Sequence, residues 1–130
     1  MKVVWIVPIL ILLTGCQWDK DSETAAGQYF TVRVHNETFV MYVTNAETIR
    51  LAVDNFQGKN SLFPSGKITF ENGGYNDPWH WHYVPDSVRM VEVSVEVCDG
   101  LPSYVDSHLT DFYSVGYCPW GGKIIRVGRY

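Results

Sequence analysis

Val88-Arg89-Met90-Val91-Glu92-Val93-Ser94-Val95-Glu96-Val97 is the stretch from which the fold is read. Val91, Val93, Val95 and Val97 alternate with Met90, Glu92, Ser94 and Glu96, and a period of two belongs to a strand rather than a helix. One face is apolar and the other polar, as in a strand with one side in a core and one in water. Such strands belong to antiparallel sheets, because parallel sheets are covered on both faces. Upstream, Phe30, Val32 and Val34 alternate with Tyr29, Thr31 and Arg33. Phe39, Met41 and Val43 alternate with Thr38, Val40 and Tyr42, and His35-Asn36-Glu37 between the two runs reads as a hairpin turn.

Thr44-Asn45-Ala46-Glu47 has the form of a capping box. It opens a helix whose apolar stripe is Ile49, Ala52, Val53 and Phe56 and whose stop is Gly58. Residues 59–66, KNSLFPSG, form a loop with an apolar tip at Leu62, Phe63 and Pro64. A short strand over 67–71, a turn at Asn72-Gly73-Gly74 and a strand from Trp79 to Tyr83 come next. Beyond Val97, Pro102 starts a second helical segment with Leu101, Val105, Leu109 and Phe112 on one side, and Lys123 to Val127 is a last strand. The expected fold is α+β: a curled antiparallel sheet with two helices packed on one side and one disulfide.

The start of the chain has a separate logic. Lys2 precedes an apolar run from Val3 to Leu13, the length of a signal-peptide core and short of the roughly 20 residues a membrane span needs. The run ends in Leu13-Thr14-Gly15-Cys16, which has the form of a bacterial lipobox. Small residues admit the protease, and the Cys16 thiol takes the diacylglycerol. The expected division is a lipoprotein signal peptide over 1–15, lipidated Cys16 with a polar tether over 16–27, and a single domain over 28–130. Acyl chains on Cys16, at roughly 0.8 kcal/mol per buried CH₂, would hold the domain on a membrane outside the cytoplasm. With Gln at position 17, that is the outer membrane in a cell with two membranes and the outer face of the plasma membrane in a cell with one. If Cys16 carries lipid, Cys98 and Cys118 remain as a pair in an oxidising compartment, where such pairs close.

Composition narrows the partners. The chain has 14 acidic and 10 basic side chains, a net charge of −4. The bases are scattered apart from Lys123, Arg126 and Arg129, so no nucleic-acid partner is expected. The densest chemistry is Tyr75-Asn76-Asp77-Pro78-Trp79-His80-Trp81-His82-Tyr83. On a strand, His80 and His82 share one face, and Trp79, Trp81 and Tyr83 share the other. Two imidazoles at i and i+2 can ligate one divalent metal if Asp77, His35 or a glutamate completes the set. Without a third ligand they are polar groups on a wet face. The aromatics fit a core first; their other use is a binding surface of Tyr75, Trp79, Trp81 and His82, to which the Leu62-Phe63 tip adds a second apolar element. Ser103, Ser107, His108 and Asp111 are the only cluster with hydrolase chemistry. Ser107 and His108 are adjacent, so on a helix they point apart, and no nucleophile-elbow motif stands in the chain. No resident cofactor is expected beyond that metal, and the chain is not expected to be an enzyme.

Several segments carry a resemblance: Glu37-Thr38-Phe39-Val40, Tyr75-Asn76-x-Pro78-Trp79-x-Trp81-His82, Pro85-x-Ser87-Val88, Val97-Cys98-Asp99-Gly100 and Cys118-Pro119-Trp120. Over roughly residues 28–127 the chain resembles a family of small secreted bacterial domains often labelled calmodulin-binding-protein-like. The resemblance implies a shared fold and a Cys98–Cys118 bridge. His82 matches the family pattern, and His80 falls at a variable position. The calmodulin label sits poorly with these residues: calmodulin targets are basic amphipathic helices, whereas the helix over 45–57 has Arg50 against Glu47 and Asp54. The function expected from all of this is a non-enzymatic binding module of the cell envelope that engages an envelope or extracellular protein or peptide. A metal- or small-ligand-binding lipoprotein using His80 and His82 is the alternative, and a hydrolase the third reading.

Overall fold

A computed structural model of the chain describes residues 26–129. The signal peptide expected over 1–15, Cys16 and most of the tether expected up to residue 27 lie outside the described residues. Strands β1 (Gln28–Val34) and β2 (Glu37–Val43) form the expected antiparallel hairpin, with Val34 facing Glu37 across His35-Asn36. His35 takes φ 55°, the left-handed region that a two-residue hairpin turn needs. Strict alternation buries Phe30, Val32, Val34, Phe39, Met41 and Val43. The other edge of β1 pairs antiparallel with β7 (Lys123–Val127), giving the order β2-β1-β7 with an irregularity between Thr31 and Val32.

Helix α1 (Ala46–Phe56) starts one residue later than a box on Thr44 requires. Asn45 is the cap: its Oδ1 accepts from the Thr48 N–H at 3.0 Å. The Thr48 hydroxyl donates to the Val88 carbonyl at 2.7 Å, while Glu47 turns outward and pairs with Arg50. Thr48, Ala52 and Asn55 are buried, Ile49 and Val53 of the expected stripe pack half-buried against the core, and Phe56 is exposed. The stop is as expected. Gly58 has φ 77°, and the N–H groups of Gly58 and Lys59 return to the carbonyls of Asn55 and Asp54, the two crossed bonds of a glycine-terminated helix.

The Val88–Val97 segment departs most from its pattern. Only β6 (Arg89–Val91) is a strand, paired with the three residues of β3 (Phe63–Ser65). Its faces are reversed: Val88 and Met90 are buried, whereas Val93, Val95 and Val97 are 78%, 63% and 67% exposed. An alternating pattern has two faces, and the Thr48–Val88 hydrogen bond that docks α1 turns the Val88–Met90 face inward. Beyond Val91 the ladder with β3 ends, and the chain bends at Glu92 and passes through a 3₁₀ turn at Glu96–Cys98.

The 59–66 segment is loop only as far as Leu62, since Phe63–Ser65 form β3, and its apolar tip is turned inward. Asn55 donates from Nδ2 to the Leu62 carbonyl at 2.9 Å, and Asn60 Nδ2 donates to the Leu51 carbonyl at 3.0 Å. These bonds fold the tip back onto α1, and Phe63 is buried beside Cys98 and Cys118. Strands β4 (Ile68–Phe70) and β5 (Trp81–Tyr83) form the fourth antiparallel pair. The second helical segment is broken at His108 into α2 (Pro102–Ser107) and α3 (Leu109–Val115). Val105 and Phe112 are buried, and Leu101 and Leu109 pack against the same core. The α+β class and the Cys98–Cys118 disulfide are present. The sheet consists of three antiparallel pieces with three helices packed against them: α1 on β7 and β6, α2 on β2, α3 on β4. Among the described residues no helix is long and apolar enough to cross a membrane.

Candidate functional site

The aromatic segment is shaped by the turn before it. Asn72 Oδ1 accepts from the Gly74 N–H at 2.7 Å, and its Nδ2 donates to Asp77 Oδ1 at 2.6 Å. Gly73 has φ 66°, and a Cβ there would stand 2.8 Å from the His82 ring, so glycine is required for conformation and for space. Asn76 is wholly buried. Its Oδ1 accepts from the Val40 N–H at 2.7 Å and its Nδ2 donates to the Trp81 carbonyl at 2.8 Å, which ties β2 to β5.

These restraints separate the aromatics. Trp81 and Tyr83 are wholly buried. The Trp81 indole donates to the Pro102 carbonyl and the Tyr83 hydroxyl to the Tyr117 carbonyl. Burial, and then neighbouring Tyr117, push the Tyr83 phenol well above its usual range. Trp81 is therefore a core residue and not part of a solvent-facing surface; Phe63, at 5% exposure, is the same. Leu62 is half-buried against the core. Tyr75 is half-buried against Tyr29, Tyr42 and the His82 ring, and burial raises its pKa to about 12. Of the candidate binding surface, Trp79 is the large aromatic left facing an open cleft. Its indole is half-buried and donates to the Thr38 carbonyl at 2.9 Å, which fixes the ring.

The two histidines are on different partners. His80 is exposed, and Asp106 of α2 accepts both its backbone N–H and its Nδ1–H, the latter at 3.0 Å. His82 donates from Nδ1 to the Glu71 carbonyl at 2.8 Å. Asp77, the third-ligand candidate, faces Asn72, and His35 sits in the β1–β2 turn. Among the described residues no three His, Cys, Asp or Glu side chains are grouped to hold a metal ion.

Ser107 and His108 do meet, at 3.0 Å between Oγ and Nδ1, because the helix breaks at His108, which takes φ −135° and ψ 40°. Their order is wrong for nucleophilic catalysis. The Tyr104 carbonyl, 2.9 Å from His108 Nδ1, can only accept, so Nδ1 carries a proton and cannot remove one from Ser107. Ser103 donates its hydroxyl to Glu37 at 2.7 Å. None of the three lines either of the two clefts found among the described residues.

The Trp79 cleft has a volume of about 510 Å³. Its apolar wall is Phe70, Pro78, Trp79 and Leu109, and its polar rim includes Glu71, Asp77 and His80. A second cleft, of about 960 Å³, is lined by hydroxyls of Ser65, Thr69 and Ser87, the bases Lys67 and Arg89, and the end of α3 from Tyr113. Phe70 of the first and Tyr113 of the second stack at 5.1 Å with their planes 11° apart. Sequence reasoning missed Phe70, Leu109 and Tyr113 as site residues. Leu109 reads as core, and Phe70 shares a strand face with buried Ile68 yet is itself exposed. No local signal marks them, since β4 and α3, which bring them together, are distant in the chain.

Comparison with known families matches residues 26–129 to the model of the BP-74 N-terminal domain. No curated protein and no solved structure matches the chain. The match spans all but the first 25 residues and the last, covering every strand and helix of the fold. The chain therefore belongs to the BP-74 N-terminal domain family.

Proposed function

We propose that this chain is a cell-envelope lipoprotein whose domain is a non-enzymatic binding module, holding a protein or peptide in the Trp79 cleft. The carrying observation is that cleft's composition: an apolar wall of Phe70, Pro78, Trp79 and Leu109 beside two carboxylates. An aromatic ring fixed by its own hydrogen bond offers contact area at little entropic cost. The hydrogen bonds of His80, His82 and His108 supply neither an open metal set nor an activated nucleophile, which favours binding over catalysis. Anchoring rests on the lipobox around Cys16, and it would place the cleft outside the cytoplasm.

Two measurements test the reading. Expression with its leader in a bacterial host fed an alkyne-bearing palmitate analogue should label the wild-type chain and leave Cys16→Ala unlabelled; label on both chains or on neither refutes the anchor. Selection of a random dodecapeptide display library on the purified chain should yield binders that Trp79→Ala weakens at least tenfold. Binders indifferent to Trp79→Ala would remove the cleft from the function.

A further inference from the structure

We infer that the two clefts are one continuous groove that takes an extended peptide carrying basic residues at one end and acidic residues at the other. This rests on the binding reading above and adds the ligand's form and polarity. Leu109 in the first cleft and Tyr113 in the second are four residues apart on α3, so they lie on one helix face. Ile68 of the second cleft and Phe70 of the first, two residues apart on β4, likewise share one strand face. Between the clefts stand Phe70 and Tyr113, 47% and 55% exposed and stacked on each other. A stacked pair at the surface makes a rigid apolar ridge that joins the two hollows.

The charges at the two ends differ. Glu71 and Asp77 rim the first cleft. Lys67 and Arg89 line the second, where Asp86 is the one carboxylate. Among the described residues neither Glu71 nor Lys67 has an ion-pair partner. The Arg89 guanidinium is held by the carbonyls of Asp86 and Val88, so it is positioned while most of its donors stay open. Complementarity therefore calls for a ligand that is basic over Glu71 and Asp77, apolar over the ridge and acidic over Lys67 and Arg89. A neutral glycan makes no use of opposite charges at the ends, and it stacks on open ring faces, whereas these two rings cover each other. A nucleic acid needs basic surface throughout.

The test uses the full-length chain, with the binders from the dodecapeptide selection fluorescein-labelled and titrated by anisotropy. Expected binders have Lys or Arg near one end, Asp or Glu near the other and apolar residues between. Glu71→Lys, Lys67→Glu and Tyr113→Ala should each weaken them at least tenfold, and raising salt from 50 to 500 mM should also weaken them. The double variant Glu71→Lys/Lys67→Glu should prefer a binder whose terminal charges are exchanged. Thermal unfolding of each variant confirms folding, with Glu71→Gln and Lys67→Gln replacing any charge reversal that unfolds. Binders that need Trp79 but ignore Lys67 and Tyr113 overturn the continuous groove and leave the single-cleft reading standing. If no peptide is selected, or if all binders ignore Trp79, both readings fall.

Discussion

Asn76 makes two hydrogen bonds between elements that are distant in the chain, to the Val40 N–H and the Trp81 carbonyl. Asn76→Ala removes both and leaves a donor and an acceptor without partners. At about 1–3 kcal/mol for each stranded group, denaturant unfolding should show a loss of about 2–6 kcal/mol. A loss below 0.5 kcal/mol would mean that water replaces the amide. The buried tyrosines yield a pH dependence. Burial raises the phenols of Tyr83 and Tyr117 above 10, so the folded state keeps its protons where the unfolded chain loses them. Their contribution is complete below pH 10 and declines above it. Denaturant unfolding between pH 9 and 11 should show stability falling with a slope of up to roughly 1.4 kcal/mol per pH unit for each phenol above pH 10. Tyr83→Phe should flatten the slope. These roles are invisible in the sequence, where Asn76 reads as a loop residue and the tyrosines as generic aromatics.

At the scale of elements, the Val88–Val97 run separates pattern from packing. Met90 is 7% exposed and Val93 78% exposed, the reverse of the faces that the valine alternation predicts. Met90→Ala should cost about 2–4 kcal/mol through lost burial and the cavity left behind. Val93→Ala should stay within about 0.5 kcal/mol. Equal losses in parallel urea titrations would place Val93 in the core and restore the long strand. The hairpin and β7 follow their sequence pattern because each has a full-length partner: β1 and β2 pair over seven residues. The 88–97 segment has only the three residues of β3, and a strand without a ladder is not held extended by its propensity. The helix shows the same effect on a smaller scale. Thr44 and Asn45 can both cap, and the Thr48–Val88 bond, a tertiary contact, selects Asn45.

For the whole molecule, the Cys98–Cys118 bridge closes 20 residues of chain that include α2 and α3. A loop of that length is worth about 3 kcal/mol through restriction of the unfolded chain. Cys98→Ala/Cys118→Ala should therefore lower Tm by roughly 10–20 °C in a domain of this size; an unchanged Tm would show that the segment is held by its packing alone. The bridge also lies beside buried Phe63, so the variant should loosen β3 and β6 before β1 and β2, which amide exchange can resolve. What followed from the sequence alone was whatever depends on neighbours along the chain. The hairpin, the Gly58 helix stop and the β7 strand are of this kind, since periodicity and left-handed backbone are local properties. The packing of distant segments decided the rest. It chose which face of an alternating strand turned inward, folded the Leu62-Phe63 tip back, placed Trp81 in the core and brought Phe70, Trp79, Leu109 and Tyr113 together around two clefts. A period of two specifies that a strand has two faces, but only the surface it meets determines which is buried.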